Sequence, residues 1–438
     1  MKRYGKYKDS GISWLGEIPE NWKVVRYKDI ANIVRGGSPR PAGDPRFYGG
    51  KIPFLKVGDL TKNESPFIKE YTYTITDEGL SNTRLVKEKT LLLTNSGATL
   101  GVPKITTFST TFNDGVAAFL GIKKADNLYL YFLLKSKTLW FLNMASLGQG
   151  QPNLNTEIVG NTFLSIPPLQ EQIVIAQYLD TKTQKIDRKV KLLEQKIQYY
   201  KELRKSIINK AVTKGLDDKV ELKESGISQI GKIPNYWTVK RIKDIFLAYT
   251  GNSISDKNSF EVKEEGRRYY ISTKDINFNS GKIEYDNGVY IPKNDTSFKI
   301  GKKKSILICL EGANAGKKVG FIEKDVCFVN KLCCLKAKES KFENKFYYYF
   351  ILSESFRNQF FSFLNGMIGG VSINALKKLN IVVPLKEEQI QIAQFLDEKT
   401  SIIDRIIKNI EKQVTTLKEL RKSLINDVVT GKIKVTND

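Results

Sequence analysis

The chain has 438 residues, 41% of them hydrophobic, with 71 Lys+Arg against 47 Asp+Glu for a formal charge of +24, and it contains no histidine. Length and apolar content allow about two to four domains with real cores, and the positive excess points to a polyanion, nucleic acid first. Without histidine, Ser-His-Asp triads, HNH-type nucleases and His-ligated zinc enzymes are excluded.

The N-terminal residues MKRYGKYKDSG lack the apolar run of a secretory leader, and no stretch of roughly 18 uncharged apolar residues follows. A cytoplasmic protein without membrane contact is expected. Residues 8–30 (KDSGISWLGEIPENWKVVRYKDI) then recur at 223–245 (KESGISQIGKIPNYWTVKRIKDI), so the chain reads as one unit written twice. Between this block and the next lies a middle rich in strand signals: KIPFLKV, TLLLT, GVPKITTF and GVAAFLGI, bounded by Gly, Pro and Asn. The second copy offers RRYYIST, SILICL, KKVGFI and VCFVN. TLLLTNSGATLG (90–101) and SILICLEGANAG (305–316) keep a common character, whereas 35–60 and 250–276 agree only loosely. Each unit therefore has a constant frame and a divergent middle.

Aromatic-rich stretches at 127–145 and 344–364 read as core helices packed on the strands. Glycine-rich loops follow, SLGQGQPNLN and NGMIGGVSIN, and a proline segment leads into a long helix in each copy. EQIVIAQYLDTKTQKIDRKVKLLEQ (171–195) is echoed by EQIQIAQFLDEKTSIIDRIIKNIEK (388–412), and KELRKS by its repeat at 418–423. Apolar or small residues fall at Leu179, Thr183, Ile186, Val190, Leu193, Ile197 and Tyr200, and at Leu396, Thr400, Ile403, Ile407, Ile410, Val414 and Leu417. The alternating steps of four and three are those of a coiled-coil seam. A further step of three, to Leu203 and Leu420, predicts a local overwinding shared by both helices. Helices of this length need a partner, and the repeat supplies one. A two-fold relation between the copies makes the pair antiparallel, with the two middles at opposite ends of a rod. The expected fold is α+β: two tandem pseudo-symmetric units, each a mixed α/β recognition domain followed by a long helix, the helices pairing as an antiparallel coiled coil. The expected divisions are 1–168, 169–214, 215–384 and 385–438.

Catalytic motifs fail on inspection. GANAGKK (312–318) has the wrong spacing and no Ser/Thr for a phosphate-binding loop, GQG (148–150) is too short for a dinucleotide fingerprint, and IPPL (166–169) lacks the Asp or Asn of an adenine methyltransferase. No carboxylate pair stands out as a metal site. Cys309, Cys327, Cys333 and Cys334 lie in apolar strand-like runs without zinc spacing, and read as buried reduced thiols. No catalytic residue, metal site or cofactor of the chain's own is expected.

SGISWLGEIPENWKVVRYKDI, TNSGATLG and PPLQEQIVIAQYLDTKTQKID together resemble the specificity (S) subunits of type I restriction-modification enzymes, over nearly the whole chain and in both copies. The most specific element is P-L-x-E-Q-x-x-I-A-x-x-L-D before a long helix. It reads Pro168-Leu169-Gln170-Glu171-Gln172 in one copy and Pro384-Leu385-Lys386-Glu387-Glu388-Gln389 in the other, with one extra residue between Leu385 and Gln389. The resemblance implies two target-recognition domains that read the halves of a split asymmetric site in double-stranded DNA, and paired helices that set the spacer. It also implies a frame that docks methyltransferase (modification) subunits, two of them, with motor-nuclease (restriction) subunits joining. S-adenosylmethionine, ATP and magnesium would belong to those partners. Base-reading residues do not transfer from the family. Loop residues with suitable chemistry are Arg35, Ser38, Arg40, Arg46, Gln149, Gln151 and Asn153 in the first head, and Asn252, Lys257, Arg267, Arg268, Lys274 and Lys317 in the second; each is more often a phosphate contact than a base reader. A stand-alone DNA-binding or architectural protein with a coiled-coil spacer remains the alternative.

Overall fold

Trp22 and Trp237 occupy equivalent places in the repeated block, and both are fully buried. Around each, the chain of the computed structural model builds one of two units: residues 1–194 with 412–438, and residues 195–411. The structure describes residues 2–13, 15–97, 99–145, 153–254, 267–364 and 369–435.

The first unit carries β1 (Lys23–Arg26), β2 (Asn32–Arg35), β3 (Tyr48–Leu55), β4 (Phe67–Ile68), β5 (Tyr73–Ile75), β6 (Leu85–Val86), β7 (Leu91–Thr94), β8 (Pro103–Thr106), β9 (Thr110–Phe112) and β10 (Val116–Leu120). Helices α1 (Asn127–Ser136) and α2 (Thr138–Ala145), strand β11 (Phe163–Ile166) and the long helix α3 (Leu169–Lys214) follow. One sheet has the order β2-β10-β7-β8-β4, antiparallel except at β8–β4, and a second the order β5-β3-β9-β6, in which β3 and β9 are parallel.

The second unit repeats this with β12 (Thr238–Arg241), β13 (Phe246–Thr250), β14 (Arg267–Ile271), β15 (Tyr290–Pro292), β16 (Ile300–Gly301), β17 (Ile306–Cys309), β18 (Val319–Phe321), β19 (Val326–Phe328) and β20 (Leu332–Ala337). Helices α4 (Asn344–Leu352) and α5 (Glu354–Ser362), strand β21 (Asn380–Val383) and the long helix α6 (Lys386–Val429) complete it. Its sheets run β13-β20-β17-β18 and β15-β14-β19-β16; the second of these keeps a parallel pair, β14–β19, matching β3–β9 of the first unit.

The runs TLLLT and SILIC are apolar throughout because they are covered on both faces. Side chains alternate across a strand. Leu91 and Leu93 accordingly join the core under the helices while Leu92 joins the core between the sheets. Ile306 and Ile308 part from Leu307 and Cys309 in the same way. Each fully buried aliphatic side chain stabilises the fold by about 1.5–3 kcal/mol. All four cysteines are free and buried, and burial pushes the thiols up, Cys327 and Cys334 to about 11 and Cys333 to about 12. The expectation of buried cysteines agrees with this.

Each aromatic stretch expected as one helix is two. Lys137 ends α1, and Ser353 both ends α4 and caps α5, its Oγ accepting from Phe356 N at 3.3 Å. Tyr129, Tyr131 and Phe132, and likewise Phe346, Tyr347 and Phe350, are buried.

The long helices are continuous over 46 and 44 residues, about 1.5 Å per residue, and each unit holds the start of one and the end of the other. Leu179, Thr183, Val190, Leu396, Thr400, Ile403, Ile407, Ile410 and Val414 are buried, with Ile186, Leu193 and Ile197 half-buried. In the first unit Asp187 meets Arg421 and Glu194 meets Lys418, so the chains run antiparallel; in the second, Arg204 meets Asp404. In α6 the expected extra step of three is absent. Leu420 is 50% exposed, and Arg421, at 7%, takes the seam position instead. The regular four-three alternation thus continues through an arginine, whose buried stem serves as the apolar surface.

Candidate nucleic-acid interface and its frame

The repeated frame is held by side-chain hydrogen bonds at the start of each long helix. Glu171, in the first turn of α3, accepts from Trp22 Nε1 at 3.3 Å and from the Tyr4 hydroxyl at 2.5 Å. Glu388 accepts from Trp237 Nε1 at 2.8 Å and from the Tyr236 hydroxyl at 3.1 Å. A carboxylate here also faces the positive end of the helix dipole. The neighbouring Gln172, 1% exposed, accepts from Asp126 N at 2.9 Å and donates to Pro167 O at 2.9 Å. Gln389 accepts from Glu343 N at 2.7 Å and donates to Pro384 O at 3.0 Å. The E-Q pair therefore ties the start of each long helix to the tryptophan block and to the first aromatic helix. These contacts make Pro384 the equivalent of Pro167, not of Pro168. The extra residue expected in the second copy is thus a Leu385-for-Pro168 replacement in unbroken register.

The variable loops leave the frame at matching points. A Cβ on Gly36 would lie 2.3 Å from Phe112 O, and one on Gly251 would lie 1.8 Å from Phe328 O. Only glycine permits this close passage over β9 or β19. In the first head three of the candidate residues then converge on Asp114. Arg35 Nε donates to its carbonyl at 2.5 Å, Ser38 Oγ donates to Oδ1 at 2.8 Å, and Arg40 lies 3.9 Å from Oδ2. Asn153, exposed, pairs with Ser96 in an isolated bridge, and Asn95 N donates to Gly115 O at 2.9 Å. Loops 35–40, 95–97, 113–115 and 153–155 are thus neighbours. Arg46 stands apart, forked onto Asp44 at 2.8 Å, an exposed pair that holds the Asp44 carboxyl below its ordinary range. Gln149 and Gln151 lie outside the described residues.

In the second head the Asn252 amide is engaged within its own loop. Its Nδ2 donates to Ser297 O at 3.2 Å and its Oδ1 accepts from Lys299 N at 2.9 Å, so the amide holds the 295–299 turn. Arg268 donates to Lys293 O at 2.6 Å beside that turn, and Arg267 donates to Tyr290 O at 3.4 Å. Lys274 and Lys317 form a second group, linked through Lys318 Nζ, which donates to Thr273 O at 2.8 Å; exposed Lys317 itself donates to Ala313 O at 3.1 Å. Lys257 lies outside the described residues.

Sequence reasoning missed Asp114, the acid on which the first loop is organised, and the Arg204–Asp404 and Arg421–Asp187 pairs. A signal for the pairs was present: both arginines sit in the repeated KELRKS and both aspartates in the repeated I-D-R. Nothing marked Asn95, whose buried side-chain amide has no hydrogen-bond partner among the described residues, or Lys104, buried at 3% exposure. Among the described residues no group of three or more metal-ligating side chains is assembled, and no helix is long and apolar enough to cross a membrane.

The family model described as the type I restriction modification DNA specificity domain matches residues 19–198 and 234–416. The chain belongs to that family. It is 26% identical over 429 residues to the type I restriction enzyme MjaVIII specificity subunit of Methanocaldococcus jannaschii, covering 96% of this chain and 95% of that one. It is 25% identical over 451 residues to the EcoBI specificity subunit of Escherichia coli, covering 97% and 89%. In fold it resembles a chain from a structural study of the assembly and conformational transition of the type I R-M system, with a TM-score of 0.72, 14% identity and coverage of 95% and 99%. It also resembles the HsdS subunit of Thermoanaerobacter tengcongensis, at a TM-score of 0.52, 16% identity and coverage of 95% and 98%.

Proposed function

We propose that this chain is the sequence-reading subunit of a type I restriction-modification complex, acting on double-stranded DNA and carrying no catalysis of its own. Residues 1–168 and 215–384 each read one half of a split asymmetric site, and 169–214 with 385–438 set the spacer. The frame docks modification subunits, two of them, and restriction subunits join in the cytoplasm. S-adenosylmethionine, ATP and magnesium are held by those partners.

The observation that carries this reading is the contrast between matching exits and unlike loops. Gly36 and Gly251 pass the chain over equivalent phenylalanine carbonyls, yet the residues near those exits differ: Arg35, Ser38 and Arg40 gather around Asp114 in one head, while Arg267 and Arg268 open β14 and bond Tyr290 O and Lys293 O in the other. Two sites of different chemistry on one frame suit two different half-sites. The charge of +24 supplies the sequence-independent attraction to phosphates. The exposed Arg40–Asp114 pair is worth roughly 0–1 kcal/mol, so Arg40 exchanges its carboxylate for a phosphate or a guanine edge at little cost.

The test is to express the chain with a modification subunit and map the adenines that become methylated. A split asymmetric motif is expected, together with co-purification of the two proteins. A chain that binds DNA but neither copurifies with nor directs a methyltransferase favours a stand-alone architectural protein.

A further inference from the structure

The segment Asn63–Ser65 of the first head is held on every carbonyl. Lys104 Nζ donates to Asn63 O at 2.6 Å and to Ser65 O. The Tyr131 hydroxyl donates to Glu64 O at 3.3 Å, and Arg421 Nη2 donates to the same oxygen at 3.5 Å. The Glu64 carboxylate, 61% exposed, lies 2.9 Å from Lys135 Nζ and 3.7 Å from Arg421 Nη1. Arg421 Nε in turn lies 2.9 Å from Asp187 Oδ1 on α3. One guanidinium on α6 is therefore shared between the partner helix and a loop of the recognition head. Burial would raise the Glu64 carboxyl, but Lys135, then Arg421 and Lys104, outweigh it and hold it below its ordinary range.

The second unit repeats the tyrosine and the arginine–aspartate pair but not the acid. The Tyr348 hydroxyl donates to Ser280 O at 3.4 Å, and Arg204 Nε donates to Asp404 Oδ1 at 3.1 Å. Ser280 stands where the first head has Glu64, and Leu352 where it has Lys135. In place of a latch, Arg204 lines a cleft of about 770 Å³ with Asn277, Ser280, Lys201 and Lys408.

We propose that Glu64 is a positioning residue: through Arg421 it fixes the first head on the helix pair, and so sharpens the spacer that the complex accepts, while among the described residues the second head has no acid in the equivalent place. The proposal rests on the DNA-recognition reading above. The Glu64 carboxylate is itself 61% exposed, and Arg421 keeps Asp187 when the acid is lost, so Glu64→Gln leaves a folded chain; its effect falls on the angle at which the head is held. Loosening that angle changes no base-reading group. It widens the range of distances between half-sites that both heads satisfy together.

The experiment uses the full chain in complex with its modification subunit. Methylation kcat/KM is measured on duplexes bearing the mapped motif with its native spacer and with one base pair more or fewer. For the wild type, the ratio of native to altered spacer defines the discrimination. Glu64→Gln is expected to lower that ratio about two- to fivefold, the range of an exposed ion pair, with the half-site bases unchanged. Ser280→Glu, which returns the acid to the second head facing Arg204, is expected to raise it. A ratio that Glu64→Gln leaves unchanged, with only the melting temperature moved, overturns the proposal, as does a change confined to half-site bases. A wild type that methylates no split motif overturns the recognition reading itself. A split motif with sharp spacing that Glu64→Gln does not relax overturns the latch alone.

Discussion

Arg204 Nε donates to Asp404 Oδ1 at 3.1 Å, and at the matching place in the other unit Arg421 Nε lies 2.9 Å from Asp187 Oδ1. Both pairs cross the helix seam, at positions where apolar residues stand above and below. Burial raises the Asp404 carboxyl even with Arg204 beside it, so the aspartate depends on its partner. Arg204→Met should destabilise the full chain by about 1–3 kcal/mol, below the full cost of stranding a buried charge because Asp404 retains some solvent. Arg204→Met with Asp404→Leu should recover most of that loss. Urea unfolding of the two singles and the double gives the coupling directly; additive losses would show that the pair does not act as one.

The seam also shows where sequence reading succeeds and where it stops. The four-three alternation from Leu179 to Ile197 and from Leu396 to Val414 is a local property of a helix, so the burial followed from it. The pattern misassigned Leu420 because hydrophobicity alone cannot foresee an arginine whose stem is buried and whose head finds Asp187 across the seam. Strand existence was readable in TLLLT and SILIC, since apolar runs covered on both faces have few alternatives. Asn252 was not readable: its type suits adenine, but its amide is taken up by Ser297 and Lys299, residues brought to it only by the folded chain. Asp114 is of the same kind, being 74 residues from the Arg40 it meets.

Lys104 provides a titration test. Burial lowers its ammonium to about 8, while an exposed lysine titrates near 10.4. Between those values the unfolded chain binds the proton that the folded chain has released, so stability attributable to this group rises with pH. The gain is present above the unfolded value and is lost as pH falls through about 8. Lys104→Met should be less stable than wild type, because Asn63 O and Ser65 O lose their donor. The gap between the two should widen from pH 8 to 10; comparing them cancels the buried tyrosines, which titrate identically in both. A gap that narrows over that range would mean that the lysine is not depressed.

The exposed arginines of the first head separate phosphate from base contacts. Arg40, with its side chain 74% exposed, is expected to meet the DNA backbone. Arg40→Ala should weaken binding to all sequences alike and reduce the slope of log K against log salt by about 0.9. The methylated motif should not change. Relaxed specificity at one base position with an unaltered salt slope would instead make Arg40 a base reader.

If two heads read two half-sites at a distance set by the helices, lengthening both helices must lengthen the spacer. Seven residues inserted after Glu194 and seven after Glu411, in heptad phase, fall at the boundaries between the two units and leave each unit's own contacts in place. Each helix lengthens by about 10 Å, or about three base pairs at about 3.4 Å per pair, although the heads also rotate relative to each other. The decisive measurement is the methylated motif of this variant in complex with the modification subunit. Both half-sites should be unchanged and the spacer longer by about three base pairs. An active complex that keeps the original spacer, or that changes the half-site bases, would contradict a distance set by the helices.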